Sequence, residues 1–229
     1  GATNGKRVLK NDSPNSGNDQ VDTEIVPGFC DRPSSIRRQI EIETGKSCDE
    51  VEYADLKEIK SITVSDENVI KLNPSHFKDF TNLLRLEINN INLGKLNKEL
   101  FKHLTSIENI KLSNCSITNL PKNLFKNNTS LTKVTLESND FKEVTADVFK
   151  NLSKLEILQL NGNNIEYVSP NAFKGLLKLK ELHLGFNQII EFNHLTFKDL
   201  KELHTLNLVI NKITNISRSS LEALSFKHR

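Results

Sequence analysis

The chain has 229 residues, of which 36% are hydrophobic and 26% charged, with a formal net charge of +2. It is long enough to bury a sizeable core and too balanced in charge to suggest a nucleic-acid partner. No apolar run approaches the roughly 18–20 residues a membrane span needs. There is no methionine, so the chain is expected to start downstream of an initiator, with any signal peptide outside it. Three cysteines allow one bridge and a leftover thiol.

Residues 1–28 carry few large apolar side chains, and the stretch Lys10-Asn11-Asp12-Ser13-Pro14-Asn15-Ser16-Gly17 is typical of them. Such a segment buries too little surface to offset its ordering entropy. It reads as a flexible linker.

Residues 29–58 read as a helical cap. They include Cys30-Asp31-Arg32-Pro33-Ser34-Ser35-Ile36-Arg37-Arg38-Gln39-Ile40, then Gly45, Cys48, Val51 and Leu56. Ile36 and Ile40 lie one helical turn apart on one face. Ser34 or Ser35 is expected to cap that helix and Gly45 to end it.

Internal repetition then dominates. Ile59, Leu83, Ile107, Leu131, Leu155, Leu179 and Leu203 follow one another at a spacing of 24. Seven repeats therefore span 59–226, leaving 227–229 as a tail. Leu155-x-x-Leu158-x-Leu160-x-x-Asn163-x-Ile165-x-x-Val168, followed by Phe173 and Leu176, shows the columns. Positions four and six alternate with polar neighbours, which is the period of a strand with one buried face. Position nine is Asn139, Asn163, Asn187 and Asn211 in the later repeats, where a buried amide can bond the backbone of adjacent turns. In the earlier ones it is Glu67, Ile91 and Cys115. Cys115 is expected as a buried thiol, and the coils near Glu67 and Ile91 as irregular. Position nineteen is Phe77, Phe101, Phe125, Phe149, Phe173 and Phe197, then Leu221, expected to stack as a spine.

These columns resemble the leucine-rich repeat pattern. The cap is similar to that of secreted bacterial leucine-rich repeat proteins, matching at Cys30, Asp31, Arg32, Ile36, Arg37, Ile40, Cys48, Val51, Leu56 and Ile59. It departs at Arg38 and Gln39, where that group usually has small or acidic residues. The resemblance implies an α/β fold, a right-handed curved solenoid with parallel strands on its concave face. It also implies a Cys30–Cys48 disulfide stapling the cap, and a bridge points outside the cytosol. A secreted, cell-surface or periplasmic protein follows, bacterial rather than animal, with a possible lipid tether outside this chain. Asn-x-Ser/Thr sequons at Asn11, Asn114, Asn127, Asn128, Asn151 and Asn215 are read as a product of composition.

No phosphate loop, His-Glu-x-x-His or Gly-x-Ser-x-Gly motif occurs, so no enzyme, cofactor or metal is expected. His183, Glu181 and His204 are of metal-ligating types but are read as surface polar groups, because position two diverges from position five. The outward columns of the sheet are the better site. In repeats one to four they are polar and mixed in sign; in the last three they offer Ile157, Glu181, His183, Phe186, Asn207, Val209 and Ile210. Exposed apolar groups commonly mark an interface, so these residues are expected to bind a protein or peptide. An alternative is a row of lysines following the spine, Lys78, Lys102, Lys126, Lys150, Lys174 and Lys198, as a weak site for anionic glycan or an envelope surface; a purely structural envelope role is another. At the far end Leu221, Leu224 and Phe226 are expected to fold over the last core. The strand edge near Thr205 to Val209 would stay weakly protected, open to a weak homodimer.

Overall fold

The computed structural model describes residues 7–8, 25–26, 28–65, 71–222 and 224. Glu67, Phe226, the sequon at Asn11 and most of the expected linker lie outside these. Strands β1 (Arg7–Val8) and β2 (Ile25–Val26) pair antiparallel.

The body is a parallel seven-stranded sheet wound as a leucine-rich repeat solenoid. Its strands are β3 (Ser61–Val64), β4 (Arg85–Asn89), β5 (Asn109–Ser113), β6 (Lys133–Thr135), β8 (Ile157–Gln159), β10 (Glu181–His183) and β11 (Thr205–Asn207). On the flank, β7 (Glu143–Val144) pairs parallel with β9 (Tyr167–Val168). The register follows the sequence period: Leu86 stands beside Ile110, Ile110 beside Val134, Val134 beside Leu158 and Leu158 beside Leu182. Position four thus stacks on position four, because only that register keeps every apolar side chain inside.

Behind the sheet, the position-nineteen phenylalanines from Phe77 to Phe197 are all buried. Phe101, Phe125 and Phe149 stack nearly parallel, with ring centroids 5.9 and 6.0 Å apart. The asparagine column supplies the polar half of the core. Asn139 Nδ2 donates to the carbonyls of Leu112 (2.9 Å) and Leu136 (3.1 Å), while its Oδ1 accepts from the N–H groups of Cys115 (2.9 Å) and Ile117 (3.2 Å). Asn163 and Asn187 repeat the pattern. Buried backbone groups left unpaired would cost about 1–3 kcal/mol each.

Where the amide is missing, the coil adapts. The Cys115 thiol donates to the Ile88 carbonyl at 3.3 Å, 27 residues back, the same offset at which Asn139 reaches Leu112. Sulfur offers no comparable acceptor, so the Leu93 N–H turns to the Cys115 backbone carbonyl instead (2.9 Å). Cys115 is a buried free thiol, and burial raises its pKa.

The two ends are closed differently. At the first coil, helix α1 (Ser34–Thr44) buries Ile36 and Ile40 completely. It ends at Gly45, whose φ of 67° is left-handed and whose N–H bonds the Glu41 carbonyl. Neither serine caps its start: Pro33 occupies that place, with no side-chain cap bond. Cys30 and Cys48 are bonded, and the short helix α2 (Tyr53–Leu56) leads into β3. Arg32 is buried, donating from Nη1 to the carbonyls of His76 (3.2 Å) and Lys78 (3.1 Å). Its guanidinium lies 5.2 Å from the Phe29 ring centroid and 5.1 Å from that of Phe80. Burial pushes its pKa down to about 10, which leaves it charged at neutral pH. Gln39 then closes the sheet edge: its Oε1 accepts from the Thr63 N–H at 2.8 Å and its Nε2 donates to the Thr63 carbonyl. One side chain thus takes the place of a neighbouring strand.

At the other end, β11 is an edge with no described strand beyond it. Leu206, Leu208 and Ile213 are only partly buried. Helix α3 (Arg218–Glu222) follows. The expected fold-back is corrected in one respect: Leu221 is exposed, and it is Ser220 and Leu224 that face inward.

Candidate functional site

The outward face of the sheet is polar through the first coils. Lys111 Nζ lies 4.0 Å from Glu87, and Thr135 Oγ1 donates to Gln159 (2.8 Å). In the later coils His183 Nε2 lies 3.1 Å from Glu181 Oε2. His204 stands apart, with Nδ1 3.3 Å from Thr205 Oγ1. Among the described residues no group of three or more His, Cys, Asp or Glu could hold a metal.

At the end of β4, β5, β6, β8, β10 and β11, position eight turns the chain. Asn90, Asn114, Ser138, Gly162, Phe186 and Ile210 all have left-handed backbone there, with φ between 53° and 65°. Asparagine and glycine tolerate that region; for ordinary side chains it costs about 1–2 kcal/mol, and a β-branched residue is a true outlier. Coils two to five use the tolerant residues and serine, and Asn114 donates to Asn90 across the row (2.7 Å). The last two place Phe186 and Ile210 there. Both side chains are exposed, at 55% and 64%, so no core burial offsets the backbone cost.

Val209 joins them. It is exposed on one side and packs on the other against Gly185, where an added Cβ would sit 3.0 Å from Val209 Cγ1 and 3.2 Å from its carbonyl oxygen. The backbone ties these residues across coils: the Phe186 N–H donates to the Val209 carbonyl (2.8 Å) and the Asn187 N–H to that of Ile210 (3.2 Å). Asn207 Oδ1 accepts from the Val209 N–H (3.0 Å).

Of the seven residues expected to bind a partner, Phe186, Asn207, Val209 and Ile210 lie together on the last two coils. Glu181 and His183 pair beside them on β10. Ile157 is one coil back on β8, only partly exposed, and aligned with Glu181. Among the other exposed apolar residues, Tyr167 and Ile190 lie on the flank of the later coils. The Tyr167 column is polar in the coils before it, with Lys71, Lys95, Asn119 and Glu143, and the Ile190 column is polar in the three coils just before it, with Thr118, Lys142 and Glu166. That contrast was the available signal.

The lysine row is a weaker surface. Lys126 Nζ is taken by Glu99 at 2.8 Å, and Asp199 Oδ2 accepts from the Gly175 N–H in the coil that carries Lys174 (2.9 Å). Lys78 and Lys102 are half-buried, while Lys150, Lys174 and Lys198 are exposed.

Residues 129–189 match the family described as Leucine rich repeat. A search of the curated proteins found no match. Among solved structures the chain is similar to TLR13 in a TLR13–ssRNA13 complex, at 22% identity and a TM-score of 0.57, covering 71% of this chain and 26% of that one. It is similar also to a structure of the Toll–Spatzle complex from Drosophila, in its glycosylated form, at 27% identity and a TM-score of 0.58, covering 69% of this chain and 26% of that one. The chain thus spans about a quarter of the length of each of these.

Proposed function

We propose that the chain is a non-catalytic recognition module that binds a protein or peptide through the last coils of its sheet, with Phe186, Val209 and Ile210 at the energetic centre. Glu181, His183, Asn207 and Ile157 form the flank. The observation that carries this reading is the pair of exposed, large apolar side chains held on left-handed backbone. Strain of that kind persists where function uses it, and interface energy concentrates in a few such anchors. The similarity to Toll in its complex with Spatzle supports recognition as the class of activity. The Cys30–Cys48 bridge supports an oxidising, extracytoplasmic compartment. Anion binding by the lysine row is the weaker reading, because Lys126 already has a carboxylate partner.

Peptides selected from a random display library against the immobilised protein test the site. Binding should fall at least tenfold in Phe186→Asn and remain unchanged in Thr63→Ala; equal effects would place the site elsewhere. The open β11 edge further supports weak self-association. Sedimentation across a concentration series should show a dimer that Val209→Lys abolishes, whereas a monomer at every concentration would remove this part of the reading.

A further inference from the structure

A groove of about 650 Å³ opens on the flank of the last coils, away from the sheet face. Tyr167, Val168 and Pro170 line it from one coil, Ile190, Phe192 and His194 from the next, and Ser217 and Ser219 border it near α3. Tyr167 and Ile190 present large apolar surface to solvent within it. Its charged lining is two exposed carboxylates, Glu166 and Glu191, with no lysine or arginine among the described residues. Among the described residues neither carboxylate has an ion-pair partner. In a chain with 31 basic and 29 acidic residues, a groove whose described lining holds carboxylates and no lysine or arginine is a local reversal of sign.

We infer that this groove binds an extended, basic polypeptide segment, in which apolar side chains contact Tyr167 and Ile190 while lysine or arginine groups meet Glu166 and Glu191. The carboxylates repel phosphate, so a nucleic-acid strand is disfavoured here. They also favour a cationic chain over an acidic one by charge complementarity. The parallel pair β7–β9 fixes the Tyr167 backbone, and the Glu166 N–H bonds the Lys142 carbonyl at 2.8 Å, so the groove wall is preformed.

The chain has two tyrosines and no tryptophan, which supplies a local probe. In Tyr53→Phe, Tyr167 is the single tyrosine emitter. A ten-residue peptide alternating leucine and lysine should change its emission saturably. The double variant Glu166→Gln/Glu191→Gln in that background should weaken binding at least tenfold, and Glu108→Gln should not. The inference is overturned if the emission does not respond, if the double variant binds equally well, or if a leucine–glutamate peptide or a single-stranded oligonucleotide binds as tightly. Phe186 and Ile210 do not line the groove, so either site can fail while the other stands.

Discussion

The two ends of the solenoid solve the same problem in different ways. At the first coil, position four is Ile62, fully buried under α1, and the edge strand is paired by Gln39. At the last coil, position four is Leu206, partly buried, and β11 faces outward without a described partner. The same repeat therefore yields a fully covered end and an end whose apolar groups are only partly buried among the described residues. The exposed groups of the proposed binding surface lie beside the open end, where the backbone is also under strain. The closed end and the proposed recognition surface lie at opposite ends of one architecture.

The sharpest way to break that comparison is to make one substitution in one column at two places. Leu158→Ala, in the fully buried middle, should cost about 3–5 kcal/mol as a cavity-forming truncation. Leu206→Ala should cost under about 2 kcal/mol, because partly exposed atoms return less transfer free energy. Urea midpoints of the two variants measure this. Equal losses would mean that the last coil is as well covered as the middle.

Opening the closed end comes next. Replacing Cys30 and Cys48 by alanine frees a loop of 18 residues and should lower stability by roughly 3 kcal/mol on chain-entropy arithmetic. Cys115→Ala in the same assay should cost less, and alkylation of the native protein should leave its buried thiol unmodified. Gln39→Leu leaves the Thr63 N–H and carbonyl without their partner and should cost about 1–2 kcal/mol. It should also create a second open edge, seen as increased self-association in sedimentation. A Gln39→Leu variant as stable and as monomeric as the parent would show that α1 alone closes that end.

Much of this was legible before any coordinates. A 24-residue period carried through apolar columns fixes strand register, because slipping any coil would expose its whole inner set. The phenylalanine and asparagine columns recur, so they announce themselves. Gln39 does not, since its bonds to Thr63 join residues 24 apart through a side chain that belongs to no periodic set. It stood out only as a departure at its position. Leu221 misled for the opposite reason: it continues the spine column, but no following coil is described against which it could pack. At position eight, Asn90, Asn114 and Gly162 are residue types that tolerate left-handed backbone. Phe186 and Ile210 contradict that local preference, so their conformation became visible only when the coils were stacked.

Ile210→Asn tests the central claim most directly. Asparagine already occupies the same left-handed position at Asn90 and Asn114, and little of the isoleucine side chain is buried. The substitution should raise the urea midpoint, worth about 0.5–1 kcal/mol, by relieving backbone strain. The same protein should lose at least tenfold in affinity for peptides selected against the parent. A variant that is less stable and binds undiminished would contradict the account, for it would mean that Ile210 serves the fold and not a partner.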